Sequence, residues 1–490
     1  MIAPSTIGEL TSAIRGKQAS VSEMLDIYLS RISKYDSGIG AYLNVASQSA
    51  KSEAKQLQAR ISRGEWPGPL TGVPIAVKDN ISVAGLPLTA GSRILESFVP
   101  IYTATAVSRL RAAGAIVIGK TNLDEFAMGS SNEYSAFSVV HNPYDSRYVP
   151  GGSSGGSAAS LAAGLALGAL GSDTGGSVRQ PGAFCGLVAL KPSYGAISRS
   201  GLIAFASSLD QIGPMAHTGL DCARLYAAMR GCDSQDATSR TDLPPVDIKA
   251  LQHSKTNLII GIDEAAVSTW CGSDMTGSFT DLLSRFTHLG ASFKQINLPD
   301  SDTELATYHI LADAEASSNL ARYDGLQYGP RCSDARELEE LCRRTRGELF
   351  GPEVKRRILL GTYVLSGGYY DAYYQRAVET RSRIQAAYEE IFDQVDLILT
   401  PTTGEAAFAL GEKRDDPVAM YQSDRWTIAA NLTGFPAITF PIGFSKLGLP
   451  LGAQLEGPIG SEETLLSWVH RFDENQPPPG PSLAEAPEGR

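Results

Sequence analysis

The peptide Asp173-Thr174-Gly175-Gly176-Ser177 carries the residue types an acyl-transfer site requires. Two glycines ahead of a serine let the backbone turn tightly, expose the hydroxyl and aim several N–H groups at one point, as a tetrahedral oxyanion demands. A Gly-Gly-Ser triplet is also common in ordinary turns, so the signal needs support. An upstream cluster, Gly151-Gly152-Ser153-Ser154-Gly155-Gly156-Ser157, could cradle an anion on its backbone N–H groups, but the Lys-Ser/Thr that follows the glycines of a nucleotide P-loop is missing. If Ser177 is a nucleophile, its proton needs an acceptor. The six histidines (His141, His217, His253, His288, His309 and His470) include no metal-ligand pair and no Gly-x-Ser-x-Gly setting; His288 reads as lying on an apolar helix face, and the group reads as surface or satisfied core histidines. A lysine held neutral by burial is another route. Lys78 closes the apolar run TGVPIAV and is the best-placed candidate. An amine whose unperturbed pKa is about 10.4 must be depressed by burial to act as a base, so a lowered value is expected at Lys78.

The elements that would hold these groups follow an α/β rhythm. Thr6-x-x-Glu9 and Ser20-x-x-Glu23 read as capping boxes, and Val21, Leu25, Leu29 and Ile32 form one helical stripe. The run 71–77 reads as a buried strand that delivers Lys78 at its end. A helix over ATAVSRLRAAG stops at Gly114 and leads into strand AIVIGKT. Later come strand NLIIGI, helix FTDLLSRFTHLG, strand ASFKQINL, a helical excursion over about 302–394, strand VDLILTP, and a return to sheet in NLTGFPAITFPIGF. The Gly/Ser-rich region 150–195 is interleaved with apolar runs, unlike a flexible linker. The expectation is one α/β domain over 1–475, a large mixed sheet covered by helices on both faces, with a disordered Pro-rich tail at 476–490.

Composition narrows the function classes. The chain has 490 residues, 43% hydrophobic and 19% charged, with no run approaching the roughly 20 apolar residues of a membrane span. Its net charge of −11 would repel a long anionic surface such as tRNA from most faces. The six cysteines form no C-x-x-C pair and read as reduced thiols. Neither a secretory nor a transit signal is evident at the N-terminus, so the expected compartment is the cytoplasm.

Three motifs in order, Gly72-Val73-Pro74-Ile75-Ala76-Val77-Lys78-Asp79, the 151–157 cluster, and Gly171-Ser172-Asp173-Thr174-Gly175-Gly176-Ser177-Val178-Arg179-Gln180-Pro181, together resemble the amidase signature family. The resemblance implies a Ser-cisSer-Lys triad of Ser177, Ser153 and Lys78, with Ser154 the alternative for the middle position. It also implies an oxyanion hole from the N–H groups of Thr174, Gly175, Gly176 and Ser177. Within the family, FAMGSSNEYS, LIAFASSLDQIGP, ADAEASSNLARYDGLQYG, EVKRRILLGTYVLSGGYYDAYY and LGEKRDDPVAMYQSD are similar to the glutaminase subunits of aspartyl/glutamyl-tRNA amidotransferases. Glutamine carries an α-carboxylate and an α-ammonium, so one fixed cation and one fixed anion should flank the acyl site. Arg357 and Asp424 match the family positions for these roles, with Tyr308 and Ser130 at the same pocket. That branch implies no cofactor in this chain, and two partners: a larger B subunit that handles tRNA and uses ATP and Mg, and a small C subunit. Gly182, Ala189 and the Pro-rich tail depart from the family pattern. A free-standing amidase acting on small or aromatic amides is the competing reading, and a scaffold with a vestigial triad is a third.

Overall fold

The computed structural model describes residues 3–253, 257–331 and 334–479. Eleven strands form one sheet. They are β1 (Tyr42–Val45), β2 (Pro74–Lys78), β3 (Ile116–Thr121), β4 (Gly168–Asp173), β5 (Val188–Lys191) and β6 (Gln211–Ala216). The second half adds β7 (Ile259–Ile262), β8 (Ser292–Gln295), β9 (Leu397–Pro401), β10 (Ala437–Phe444) and β11 (Pro450–Glu456). Their spatial order is β1-β3-β2-β4-β6-β5-β10-β11-β9-β7-β8. The sheet is mixed: β2 runs parallel to both β3 and β4, whereas β4, β6, β5, β10 and β11 pair antiparallel in succession.

Every residue of β2, β3, β4, β5, β6, β9 and β11 is buried. Side chains alternate between faces along a strand, so unbroken burial means that both faces are covered. This is the expected layered architecture, and it explains why Pro74-Ile75-Ala76-Val77 is apolar without alternation; β2 starts at Pro74, three residues later than the run 71–77 suggests, and includes Lys78.

The helical excursion is real but broken. Helices Ser301–Asn319, Leu338–Leu349, Pro352–Val364 and Arg376–Phe392 are interrupted by the non-helical stretch 323–331 and by a π-helical turn at Tyr370–Gln375. They pack on a core of their own in which Tyr308, Leu311, Val354, Ile384 and Tyr388 meet Phe126, Phe205 and Leu432 from the sheet side. That second core fixes the excursion against the loops that follow β3 and precede β10.

Several local expectations hold and others need correction. Ser20 and Glu23 form a full capping box at the head of helix Val21–Tyr35. At Thr6 only half of one forms: its hydroxyl caps Glu9 N–H, but the Glu9 carboxylate turns to Ser5. Leu29 is only half-buried, and Met24 and Tyr28 occupy the inner face with Val21, Leu25 and Ile32. The segment read as returning directly to sheet first completes a short helix, Ile428–Thr433. His288 is exposed and donates from Nδ1 to Ser284 O at 2.7 Å; it sits in the last turn of helix Ser273–His288, outside the apolar stripe of Met275, Phe279, Leu282 and Phe286. Of the tail expected from Gln476, residues 480–490 lie outside the described residues. Among the described residues no helix is long and apolar enough to cross a membrane.

Candidate active site

Strand β2 lies between β3 and β4 and presents Lys78 at its C-terminal end. The Lys78 side chain is wholly buried. Its Nζ lies 2.7 Å from Ser153 Oγ, 3.0 Å from Ser172 Oγ and 3.3 Å from Ser172 O. Asn80 Nδ2 donates to the same Ser172 hydroxyl at 2.9 Å. No carboxylate among the described residues touches the amine. Burial therefore outweighs the attraction of Asp124, Asp173 and Asp210, and the Lys78 pKa is pushed down to about 7. This is the depression expected from the sequence.

Of the two adjacent serines, Ser153 meets the lysine. Ser154 Oγ turns instead to Ser172 O at 3.3 Å. The Gly152–Ser153 peptide is cis. Gly152 is confined: its N–H donates to Gln180 Oε1 at 2.9 Å, and an added Cβ would overlap Asp124 Oδ2 and Ser131 N. Asp124 is also buried and accepts from Asn132 N at 2.9 Å and Tyr134 N at 3.1 Å. Burial raises its pKa to about 7 despite those bonds and the nearby Lys78.

Ser177 follows β4 on a tight loop that leads into helix Arg179–Phe184, and it is half-buried where its neighbours are buried. The Asp173 carboxylate clamps this loop. It accepts from Gly176 N at 2.8 Å and Val178 N at 3.1 Å, and pairs with Arg179 Nε and Nη2, each at 3.1 Å. Burial opposes ionisation of Asp173, but the charge and hydrogen bonds of Arg179 hold its pKa at about 2. Gly176 N–H is thus committed to Asp173. Among the described residues, the N–H groups of Thr174, Gly175 and Ser177 have no protein acceptor, so of the four expected oxyanion donors these three are open. Gly175 cannot carry a side chain because a Cβ would run into the phenol end of Tyr308.

The lysine-to-Ser153 link is formed, whereas Ser177 Oγ has no hydrogen-bond partner among the described residues. The two serine segments are nonetheless laced together, Ser154 N donating to Ser177 O at 3.1 Å.

The other predicted residues converge beside this loop. Ser130 Oγ donates to Asp424. Ser130 O accepts from Gln180 Nε2 at 2.8 Å, which joins that pair to Gly152. Burial raises the Asp424 pKa to about 7 against the lowering effects of Ser130 and Arg357. Arg357 is buried on helix Pro352–Val364, with Nε bonded to Glu353 Oε1 at 2.7 Å and its guanidinium 5.1 Å from the Tyr421 ring centroid. Burial would lower the Arg357 pKa, but Glu353 and Asp313 hold it well above the usual value. Its two Nη atoms have no protein acceptor among the described residues, which leaves the fork open to a carboxylate.

Sequence reasoning missed Glu353, the Asp173–Arg179 clamp, Tyr421 and Thr427. Glu353 stands four residues before Arg357 on one helix, a spacing that could have signalled the pair. Thr427 Oγ1 donates to Gly175 O at 2.6 Å from a segment remote in sequence, and nothing local announces it. The cysteines Cys185, Cys222, Cys232, Cys271 and Cys342 are free thiols, and Cys332 lies outside the described residues.

The chain is similar to known proteins over nearly its whole length. The amidase family model matches residues 23–466. The chain is 50% identical over 95% of its length, and 96% of the relative's, to the A subunit of glutamyl-tRNA(Gln) amidotransferase from Carboxydothermus hydrogenoformans. It is 48% identical to the protein of the same name from Coxiella burnetii, over 96% of this chain and 97% of that one. The crystal structure of the A subunit of glutamyl-tRNA(Gln) amidotransferase from Thermotoga maritima superposes with a TM-score of 0.79 at 38% identity, covering 96% of this chain and 94% of that one. The peptide amidase of Stenotrophomonas maltophilia superposes with a TM-score of 0.82 at 27% identity, covering 98% of both chains.

Proposed function

We propose that this chain, which belongs to the amidase family, is the glutamine-hydrolysing A subunit of a tRNA-dependent amidotransferase. Identity of 50% and 48%, over nearly the full length, to proteins named as the A subunit of glutamyl-tRNA(Gln) amidotransferase supports the role. The observation that carries the chemistry is the buried contact of Lys78 Nζ with Ser153 Oγ at 2.7 Å, with no carboxylate among the described residues touching the amine.

In this reading Ser177 Oγ rotates toward Ser153, its proton passes through the Ser153 hydroxyl to neutral Lys78, and Oγ attacks the glutamine carboxamide carbon. The N–H groups of Thr174, Gly175 and Ser177 stabilise the oxyanion. Collapse expels ammonia, which takes its proton back from Lys78 through Ser153 and leaves a glutamyl ester on Ser177. Water then attacks that ester by the same relay and releases glutamate. The Arg357 Nη pair receives the substrate α-carboxylate and Asp424 its α-ammonium. Tyr308 lines the pocket wall at Gly175, and Ser130 holds Asp424 in place. The arriving ammonium favours the ionised form of Asp424, whose burial otherwise makes it easy to protonate.

The partners are a larger subunit that uses ATP and Mg to activate misacylated Glu-tRNA(Gln) or Asp-tRNA(Asn), and a small subunit, with the tRNA held mainly by the larger one. The chain itself uses no cofactor, and its compartment is the cytoplasm. The test is reconstitution with those subunits. Ser177→Ala should abolish transamidation with glutamine as donor and preserve it with ammonium. Loss of both, or retention of the glutamine-dependent reaction, would refute the assignment. Equal hydrolysis of apolar amides, unaffected by Arg357→Ala, would favour the free-standing amidase.

A further inference from the structure

The segment 424–429 has two faces. Asp424 and Thr427 face the Ser177 loop, whereas Arg425, Trp426 and Ala429 line a separate cavity of about 180 Å³. Four carboxyl groups contribute to its wall, Asp263, Asp300, Glu304 and Glu456, against one guanidinium, Arg425. That guanidinium is already engaged by Asp302 at 2.7 Å and stacked 3.8 Å from the Trp270 ring centroid. Asp263 and Asp300 are likewise occupied, each capping a helix.

Glu304 and Glu456 are different. They are 3% and 2% exposed, and each has one oxygen without a hydrogen-bond donor among the described residues, Oε1 of Glu304 and Oε2 of Glu456. The other oxygen of Glu456 accepts from Gln454 Nε2 at 3.0 Å, and the Tyr388 phenol lies beside the Glu304 carboxyl. A buried carboxyl oxygen without a donor is expensive, and two bordering one cavity point to a ligand that supplies N–H groups. The excess of carboxyl groups sets the sign of its charge. Trp426, Ile398 and Leu298 give the cavity an apolar wall as well, and its volume exceeds what a bare ion needs.

We infer that this cavity is a binding site for an alkylammonium group, whose head bonds the free oxygens of Glu304 and Glu456 and whose aliphatic stem lies along Trp426 and Ile398. Nothing in the glutamine reaction uses this site. It is nevertheless joined to the nucleophile loop by hydrogen bonds running from Glu456 through Gln454 to Arg179 and Asp173. Burial raises the pKa of Glu304 to about 8 and that of Glu456 to about 7, so both are readily protonated while no cation is present. The charged and titratable neighbours facing them are Asp263, Asp300, Tyr388 and Arg425 in the wall, and Arg179 and Lys191 behind Glu456. Entry of a cation ionises the pair, so binding releases protons and tightens as pH rises from about 6 to about 8.

Trp270 and Trp426 line the cavity and are two of the four tryptophans in the chain, which makes fluorescence of the full-length protein a direct readout. Titration with n-butylamine should give a saturable change, with proton release in weak buffer. Glu304→Gln and Glu456→Gln should each weaken it roughly tenfold or more, the loss expected for one charged hydrogen bond. Ala266→Leu, at the half-buried edge of the cavity, should block binding while leaving both carboxyls in place, and it decides the matter if a glutamate variant does not fold. Equal binding of n-butanol would overturn the inference in favour of a plain apolar cavity. Displacement by KCl would overturn it in favour of an alkali-ion site, and indifference to all three substitutions would remove the site.

Discussion

Two buried lysines stand side by side in the sheet and do opposite work. Lys78 ends β2 and Lys120 lies on β3, with Val77 paired to Lys120 and Lys78 to Thr121. Both are fully buried. Lys120 Nζ is 2.7 Å from Asp79 Oδ1 and 3.2 Å from Pro87 O, and the other oxygen of Asp79 takes Thr89 N at 2.8 Å. That cluster ties down the chain as it leaves β2. Among the described residues Lys78 Nζ meets only hydroxyls and one carbonyl, because the nearby carboxylates are engaged elsewhere: Asp173 with Arg179, Asp124 with backbone N–H groups, Asp210 with Thr174 at 2.7 Å. Burial lowers the pKa of both lysines, but Asp79 opposes it at Lys120, whereas Lys78 has no carboxylate in contact among the described residues and meets the Ser153 hydroxyl instead.

Exchanging each lysine for methionine should separate the two roles. Lys78→Met should lower kcat/KM for glutamine by about 10⁴ or more, in keeping with loss of a member of a catalytic relay, while stabilising the fold. The sign follows from linkage: the folded-state pKa lies below the unfolded one, so the unfolded chain binds the extra proton between about 7 and 10.5. Burial of Lys78 therefore opposes folding most at low pH. Relative to Lys78→Met, the parent should gain stability by about 1.4 kcal/mol per pH unit across that window. Denaturant melts at several pH values check this, and a destabilised Lys78→Met would break the comparison. Lys120→Met leaves Asp79 buried and unpaired, and should cost about 3–5 kcal/mol; the folded fraction should keep its catalytic apparatus.

At the substrate end, Arg357→Ala should raise KM for glutamine by roughly 100-fold, the scale of a lost charged pair, and leave hydrolysis of a neutral amide nearly unchanged. It also removes one partner of Glu353, which keeps Arg356 and Tyr421, so the ratio between the two substrates is the informative quantity. A fourth measurement is the pH profile. Below the Lys78 pKa of about 7 the base is protonated, so kcat/KM should fall about tenfold per unit as pH drops. The smallest effect should come from Asp124→Asn. Asp124 favours the charged lysine, so removing its charge should move the acidic limb to lower pH by a fraction of a unit, read from the same profile.

Much of this was legible because the signals are local. The run TGVPIAV is short, apolar and broken by Lys-Asp-Asn, and that suffices to predict a buried strand ending in a lysine. Ser20 and Glu23 meet within one helical turn, and the paired glycines before Ser177 demand a tight loop. From such patterns came the layered α/β architecture and the depressed lysine; the proposed triad came through the resemblance that the ordered motifs carry.

What only the tertiary structure decided are contacts whose partners are far apart in the chain. Lys78 and Ser153 are separated by 75 positions; the motif resemblance prefers Ser153 to Ser154, and the fold shows Ser153 meeting the amine while Ser154 turns to Ser172 O. Ser130 and Asp424 are 294 positions apart. The commitment of Gly176 N–H to Asp173, the open fork of Arg357 and the carboxyl-lined cavity behind Trp426 depend on the direction of individual side chains. Periodicity and spacing report which face of an element is apolar; they do not report which polar group lies opposite, because that is set by how the sheet and the helical excursion pack together.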